Sequence, residues 1–216
     1  MKKFINDNVV ALSISLFILL LHFYNSAFTT YGYFRDELYY LSCTDHPSFG
    51  YVDQPPLSIL ILSLNRFLFG DSLFALRLLP SIANALTILI TGLIVKKLGG
   101  KTFAQLVACV GIGFAPGLVG MFSIYSMNAF DILLWQLVFY SLIHLIETEE
   151  PRDWYIIGVL LGIGLMTKIS MGWLAAGIAM SVLATPMRRW LKTPYPWLAA
   201  GISFMLNKAM LWILLK

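Results

Sequence analysis

Long apolar runs alternate with short polar stretches along this 216-residue chain. A membrane span needs about 20 mostly apolar residues, and the run 9–28 meets that length. From Asn8 to Phe34 the chain contains no Asp, Glu, Lys or Arg. A polar, aromatic segment follows at 29–56. Residues 57–69 (LSILILSLNRFLF) are apolar but short for a span, and Gly70-Asp71 ends them. They predict an interfacial or re-entrant helix. Further spans are predicted at 72–95, 102–120, 128–146, 154–167, 170–186 and 195–215, the pair at 154–167 and 170–186 being short. The expected fold is all-α: a polytopic membrane helix bundle of about seven transmembrane helices, with interfacial helices in the first loop, 29–56. It forms a single transmembrane domain over 1–216, with no internal repeat or low-complexity stretch.

Composition supports this pattern. Hydrophobic residues make up 59% of the chain and charged residues 12%, with a mean hydropathy of +0.79. Soluble domains carry roughly 25% charged residues, so there is too little polar material for a water-facing surface. A signal peptide has an apolar region of about 7–15 residues and a small-residue cleavage site. The run 9–28 is longer and ends in Phe28-Thr29-Thr30-Tyr31, which predicts an uncleaved first helix. The two cysteines, Cys43 in the polar loop and Cys109 in an apolar run, form neither a disulfide framework nor a metal-type spacing.

The net charge of +4 and the pI of about 9.1 come from short basic clusters between apolar runs. A nucleic-acid surface would gather them in one patch, so nucleic acid is excluded as a partner. Lys and Arg favour cytoplasmic loops. Lys2-Lys3, Lys96-Lys97 with Lys101, and Arg188-Arg189 with Lys192 all fall on one side when the N-terminus is cytoplasmic. The acidic loop 147–153 (ETEEPRD) falls there too, and Asp and Glu contribute little to topology. The loop 29–56, the 121–127 connection, the start of the fourth span and Lys168 are then predicted to be extracytoplasmic.

Several residues on that face carry candidate chemistry. Arg35-Asp36-Glu37 heads the densest polar cluster. Adjacent carboxylates beside a membrane serve as a general base or as cation ligands, or they are an ordinary charge cluster in a solvated loop. On a helix over Tyr33–Leu41, Asp36 shares a face with Tyr40, and Glu37 with Leu41. In Gly50–Leu57 (GYVDQPPL), the glycine and proline pair predict a rigid turn that aims Asp53; the alternative is simple chain reversal. Asp131 lies one turn into the fourth span, after Asn128 as a cap, and is either a dipole-stabilised carboxylate or a site residue. Lys168, at the joint of two short helices, and Arg77 either snorkel to the interface or meet a phosphate. The glycines of 158–164 predict close helix packing. His22 reads as a tolerated buried polar residue, His144 lies near the inner end of its helix, and His46 beside Asp45 is a weak metal-ligand candidate.

In this order the stretches Tyr33–Tyr40 (YFRDELYY), Gly50–Leu57, Gly70–Pro80 (GDSLFALRLLP), Asn128–Trp135 (NAFDILLW) and Gly164–Lys168 (GLMTK) resemble the GT-C class of polytopic glycosyltransferases. Within that class the resemblance is to the bacterial group related to protein O-mannosyltransferases and lipid A aminoarabinose transferase. It implies an enzyme of the bacterial cytoplasmic membrane that moves a sugar from a polyprenyl-phosphate donor to a lipid, glycan or protein acceptor at the extracytoplasmic face. By this similarity Asp36 is the base that deprotonates the acceptor, with inversion at the anomeric carbon. Glu37 and Asp53, with Asp131 on the same face, orient the site or bind a divalent cation. Lys168, with Arg77 as a second contact, meets the donor phosphate. Some relatives carry Lys where this chain has Gln54. The pattern runs to Ile202 and breaks at MLNKAMLWILLK, so the expectation is the N-terminal portion of such an enzyme, truncated or frame-shifted, with little or no turnover.

Two other function classes compete with this expectation. Transporters place ionisable residues near the bilayer midplane and show repeated halves, whereas here the charges collect at one face and no repeat appears. A non-catalytic membrane scaffold is what remains if residues needed for catalysis lie outside this chain.

Overall fold

A computed structural model of the protein describes residues 2–28 and 31–214. Residues 29 and 30 of the first loop, and 215 at the end of the last predicted span, lie outside them. Every regular element among the described residues is helical. In chain order these are α1 (Lys2–Asp7), α2 (Val9–Phe28), α3 (Arg35–Thr44), α4 (Leu57–Phe69), α5 (Leu73–Lys97), α6 (Thr102–Phe114), α7 (Pro116–Ser123), α8 (Met127–Thr148), α9 (Arg152–Leu165), α10 (Ser170–Ala184), a 3₁₀ helix at Pro186–Lys192, and α11 (Tyr195–Leu214).

The apolar runs predict these bounds closely at α2 and α4. The span expected at 102–120 is instead two helices bent by 57°. Pro116 has no N–H to continue the ladder and its ring clashes with the preceding turn. It occupies the first turn of α7, where both defects are harmless. A second break, of 101°, separates α10 from the 3₁₀ helix at Pro186. Pro80 by contrast lies inside an unbroken α5. Among the described residues, α2, α5 and α8 are each long and apolar enough to cross a membrane, and the two bent pairs raise that number to five. The chain is a multi-pass membrane protein. The predicted seven also counted α9 and α11; α9 has 14 residues, about 21 Å of helix against a hydrocarbon core of about 30 Å.

The chain packs as two compact units, Met1–Pro47 with Ile59–Gln136, and Ser48–Ser58 with Leu137–Lys216. In the first, α2 presents a seam of Ala11, Ser15, Ile18, His22 and Ser26 to its neighbours, all buried, with Asn8 buried just before it. The seam closes because α5 carries Gly92 there: a Cβ on it would lie 2.4 Å from that of Ala11. Gln105 of α6 donates to Gly92 O at 3.0 Å, and the Asn84 amide donates to His22 Nε2 at 2.8 Å. Polar groups in lipid need such internal partners; Thr87 and Thr91 donate one turn back, to Ala83 O and Thr87 O.

In the second unit α9 lies directly on α11. A Cβ on Gly158 would sit 2.6 Å from Ala199 O, and one on Gly162 3.2 Å from Ser203 Cα. Asn207 donates to Gly162 O at 3.0 Å. This is the close packing that the glycines predict. At the other end of α9, Leu145, Trp154, Ile157, Val182, Trp190 and Ala199 form an apolar core. The acidic 147–153 loop turns through Glu149 at φ +54°. It buries Asp153, which accepts from His144 Nδ1 at 2.7 Å.

Candidate active site

Helix α3 opens with Phe34 in an extended conformation, and both of its carboxylates lie in the first turn, where the helix dipole favours them. The two then part. Burial along α3 follows Glu37, Tyr40 and Cys43, three residues apart. The expected pairing of Asp36 with Tyr40 and of Glu37 with Leu41 therefore does not describe the buried face. The Asp36 side chain stays 47% exposed, with Arg35 Nε 3.4 Å away and itself 92% exposed.

Glu37 is fully enclosed. Its Oε1 accepts from Arg77 Nε at 2.9 Å and from the Tyr125 backbone N–H at 3.0 Å. Its Oε2 accepts from Arg77 Nη2 at 2.7 Å and from the Phe34 N–H at 2.8 Å. Arg77 Nη2 also donates to Gly32 O at 3.1 Å. A guanidinium fork on a carboxylate is the strongest common ion-pair geometry, and here it ties together the lead-in to α3, α3 itself, α5 and the α7–α8 connection. Glu37 and Arg77, expected respectively as a catalytic or cation-binding residue and as a phosphate contact, are paired with each other. Four hydrogen bonds leave the Glu37 oxygens little capacity for a cation.

Around this pair the packing is aromatic. Tyr40 and Tyr125 meet edge-on at 5.6 Å, and Tyr125 and Phe130 at 5.6 Å. Tyr40 OH accepts from Met127 N–H at 3.0 Å. Burial, with the Tyr40 phenol beside it, pushes the Tyr125 hydroxyl well above its ordinary value. Asp131 is buried on α8, whose Ala129 packs against Ala83 and Phe122. Asn128 is not the cap that was expected: α8 begins at Met127, and the Asn128 amide donates back to Ser126 Oγ at 3.3 Å.

The C-terminal end of α3 is held by Arg66, a residue without a role in the sequence reading. Its Nε donates to Asp71 at 2.6 Å, and its Nη1 to Asp45 at 3.0 Å, to Leu41 O at 3.3 Å and to Thr44 Oγ1. Tyr33 OH donates to Asp71 O at 2.7 Å. The hydrogen bond from Arg66 lowers the Asp71 carboxyl below its ordinary value.

The second unit holds the other candidates. Within 48–58, the Tyr51 N–H donates to Gln54 O at 3.1 Å and the Ser48 N–H to Tyr51 OH at 3.1 Å. Gln54, Pro55 and Pro56 are buried while Asp53 is exposed, so the rigid turn expected of GYVDQPPL does present its carboxylate. The Leu57 N–H then donates to Met166 O at 3.0 Å. That bond fastens the Asp53 turn to the α9–α10 joint. There the N–H groups of Thr167 and Lys168 both return to Gly164 O, at 2.9 and 2.8 Å, and Lys168 is half-buried. Among the described residues no cluster of three or more His, Cys, Asp or Glu side chains would hold a metal ion.

Residues 53–213 match the family model for dolichyl-phosphate-mannose-protein mannosyltransferase. The chain belongs to this family. Three relatives are similar to it, each an undecaprenyl phosphate-alpha-4-amino-4-deoxy-L-arabinose arabinosyl transferase. The protein from Pseudomonas savastanoi pv. phaseolicola is 28% identical over 130 residues, which is 57% of this chain and 24% of the relative. The one from Pseudomonas aeruginosa strain LESB58 is 26% identical over 145 residues, 65% of this chain and 26% of the relative. The second such transferase of Pseudomonas fluorescens strain Pf-5 is 26% identical over 132 residues, 57% of this chain and 22% of the relative. The chain thus spans about a quarter of the length of the relatives it matches. No solved structure matches it.

The charged residues of the candidate site differ in burial. Asp53 is exposed, the Asp36 side chain is 47% exposed and Lys168 is half-buried, whereas Glu37 and Arg77 are enclosed and paired with each other. Two of the anchoring contacts carried no sequence signal: the Tyr125 N–H, because a backbone donor is independent of side-chain identity, and Arg66, because it sits in an otherwise apolar helix.

Proposed function

We propose that this chain contributes to a glycosyltransferase that moves a sugar from a polyprenyl-phosphate donor to a hydroxyl-bearing acceptor at the extracytoplasmic face of the bacterial cytoplasmic membrane, with its N-terminus in the cytoplasm. The single observation that carries the reading is the division of labour inside Asp36-Glu37. The Glu37 carboxylate is saturated by Arg77, Tyr125 N–H and Phe34 N–H, and its neighbour keeps a partly solvent-facing carboxylate on the helix so held. A base that must accept a proton needs that openness, and a base that must be aimed needs that anchor.

In the reaction Asp36 takes the proton of the acceptor hydroxyl as that oxygen attacks the anomeric carbon. The bond from that carbon to the phosphate oxygen breaks on the opposite side, so configuration inverts and prenyl phosphate leaves. The leaving group gains negative charge, and Lys168 offers the cation that stabilises it. Asp53 orients bound substrate from its turn, and Asp131 supports the site from α8. Glu37 and Arg77 act through the position of α3, touching no substrate. Names of the relatives support the donor class, since each is a transferase described by an undecaprenyl phosphate-linked sugar.

The test uses an intact relative carrying the YFRDELYY and GYVDQPPL stretches, with a radiolabelled polyprenyl-phosphate sugar. Asp36→Asn keeps the shape of the side chain but cannot take the proton. It is expected to slow transfer by about 10²–10⁴ while donor retention on the protein stays unchanged. Lys168→Ala is expected to weaken both retention and turnover. Near-normal transfer by the Asn variant overturns the assignment of Asp36 as base.

A further inference from the structure

The first unit contains a pocket of about 390 Å³ where α5 turns into α6, lined by Asp7, Lys96, Gly100, Lys101, Thr102 and Gln105. The turn is tight. Gly99 sits at φ +82°, and the Gly100 N–H returns to Val95 O at 2.8 Å, which sets Lys96 and Lys101 on one pocket. The apolar helices α2, α5 and α6 start or stop here, at Val9, Lys97 and Thr102. The pocket therefore lies at the level where the hydrocarbon of a bilayer gives way to headgroups.

Its donors are uncommitted. The first N–H groups of a helix have no partner within it, and α6 has no side-chain cap to take them. The Lys101 ammonium and the Thr102 hydroxyl likewise make no hydrogen bond or ion pair with the described residues. Acceptors stand beside them. Gln105 is only 4% exposed, and its amide nitrogen is spent inward, on Gly92 O at 3.0 Å and Asn8 Oδ1 at 3.4 Å. Its Oε1 has no such partner and is left for the pocket. Lys96 donates to the Asp7 backbone oxygen at 2.5 Å, and the Asp7 carboxylate lies farther from it, at 3.7 Å.

We propose that this pocket binds the headgroup of a membrane phospholipid that carries a primary amine, with the phosphate on Lys101 and the start of α6 and the ammonium between Asp7 and the Gln105 amide oxygen. Open N–H groups at a helix start, with a cation beside them, suit a phosphate. A buried amide oxygen and a carboxylate on the same pocket call for a charged donor, which an anion alone does not supply. Exposed Phe4, Leu98 and Phe103 flank the polar lining in sequence, and they suit a ligand that continues from its headgroup into apolar chains. An aminophospholipid meets all three conditions.

The experiment takes the 216-residue chain in lipid-free detergent and titrates it with phosphatidylethanolamine, phosphatidylglycerol and phosphatidylcholine of the same acyl chains, and with soluble phosphoethanolamine. Retained lipid is read by native mass spectrometry and stability by thermal melting. Expected is one phosphatidylethanolamine retained ahead of the other two lipids, with a raised melting temperature. Lys101→Ala should weaken its binding about tenfold, the change given by ~1.4 kcal/mol. Thr102→Pro removes one of the open N–H groups together with the hydroxyl. Proline is favoured at the first helical position, and Lys101 before it is already extended. This variant should therefore melt like the parent without lipid and still bind phosphatidylethanolamine less well. Asp7→Asn spares the backbone oxygen that holds Lys96 and should erase the preference for phosphatidylethanolamine over phosphatidylglycerol. Lys192→Ala, an exposed lysine outside the lining, should change nothing. No retained lipid, or unchanged affinity in both the Lys101 and Thr102 variants, would overturn the site. Equal retention of the three lipids by the parent would overturn the amine-bearing headgroup. Stabilisation by soluble phosphoethanolamine at the concentration that suffices for the lipid would make the occupant a solute and overturn the lipid.

Discussion

The two units hold their chemistry in opposite ways. In the first, a charged side-chain pair is the fastening: Glu37 and Arg77 are enclosed together, and the open carboxylate is the one next in sequence. In the second, the fastening is backbone to backbone. Leu57 N–H reaches Met166 O, Lys168 N–H reaches Gly164 O, and α9 is seated on α11 through glycines. Asp53 is exposed on the turn fastened in this way, and Lys168 is half-buried at the joint. The lesson is that a charged residue in a membrane protein is not a site residue by virtue of its charge alone. Glu37 and Arg77 are anchors because their polar atoms are satisfied by each other and by backbone groups of the fold.

The sharpest way to break this comparison is to remove one member of the first unit's anchor. Arg77→Ala leaves a buried carboxylate without its cation, and breaking such a pair from one side costs about 3–5 kcal/mol. Glu37→Gln leaves Arg77 equally stranded and loses charge assistance on four hydrogen bonds. Both variants should unfold at markedly lower temperature in detergent, while Asp36→Asn should melt like the parent. Equal melting of all three proteins would show that Glu37 is no more structural than Asp36. Arg77→Lys is expected to fall between, since an ammonium cannot reproduce the fork.

The corresponding test in the second unit acts on backbone approach. A Cβ on Gly158 falls 2.6 Å from Ala199 O and 2.7 Å from Ala199 Cα. Neither neighbour is a flexible side chain, so Gly158→Ala must move α9 off α11. Overpacking of this kind typically costs about 1–3 kcal/mol. Gly177→Ala in α10 is the matched control. Nothing lies within 4 Å of its Cβ position, and replacing a mid-helix glycine there should stabilise by about 0.5–1 kcal/mol. Opposite signs for the two substitutions in thermal melting are the expected outcome; matching signs would remove the close approach as the fastening.

Much of the fold was readable from the chain, and the reasons are specific. The bounds of α2 and α4 follow from uninterrupted apolar runs with polar or glycine stops. The α9 glycines announced their packing, and the glycine and prolines of GYVDQPPL announced a turn. What could not be read is where two equivalent signals diverge. Pro80 and Pro116 are both prolines within apolar runs, yet only Pro116 breaks its helix. Asp36 and Glu37 are adjacent carboxylates, and only the fold around Arg77 and the Tyr125 N–H decides which is enclosed. Arg77 looked like a phosphate contact for the same reason: its partner lies 40 residues earlier in sequence, and no local pattern connects them.

The smallest expected effect compares the two ends of α3. Its start is held by the enclosed Glu37–Arg77 pair, its end by Arg66 on Asp71 and Asp45, whose carboxylates are 66% and 63% exposed. Exposed ion pairs are weak and screened by salt, so the end should loosen under conditions that leave the start intact. The direction with pH follows from Asp71. The hydrogen bond from Arg66 lowers its folded-state value below the ordinary 3.8, so the folded form holds the charged carboxylate more tightly than the unfolded chain does. That contribution is complete above the ordinary value and is lost as pH falls through the lowered one. Arg66 stays charged throughout, its own value raised by the same hydrogen bond. Amide hydrogen exchange at Asp45 and His46, whose N–H groups close the last turn of α3, should therefore accelerate below about pH 4, beyond its intrinsic pH dependence. Asp71→Asn should show the loosened behaviour already at neutral pH and little further change on acidification. Exchange at Leu38, whose N–H donates to Phe34 O beside the enclosed pair, should respond to neither. If Leu38 and Asp45 loosen together in acid, α3 opens as one piece and the enclosed pair is not an independent anchor.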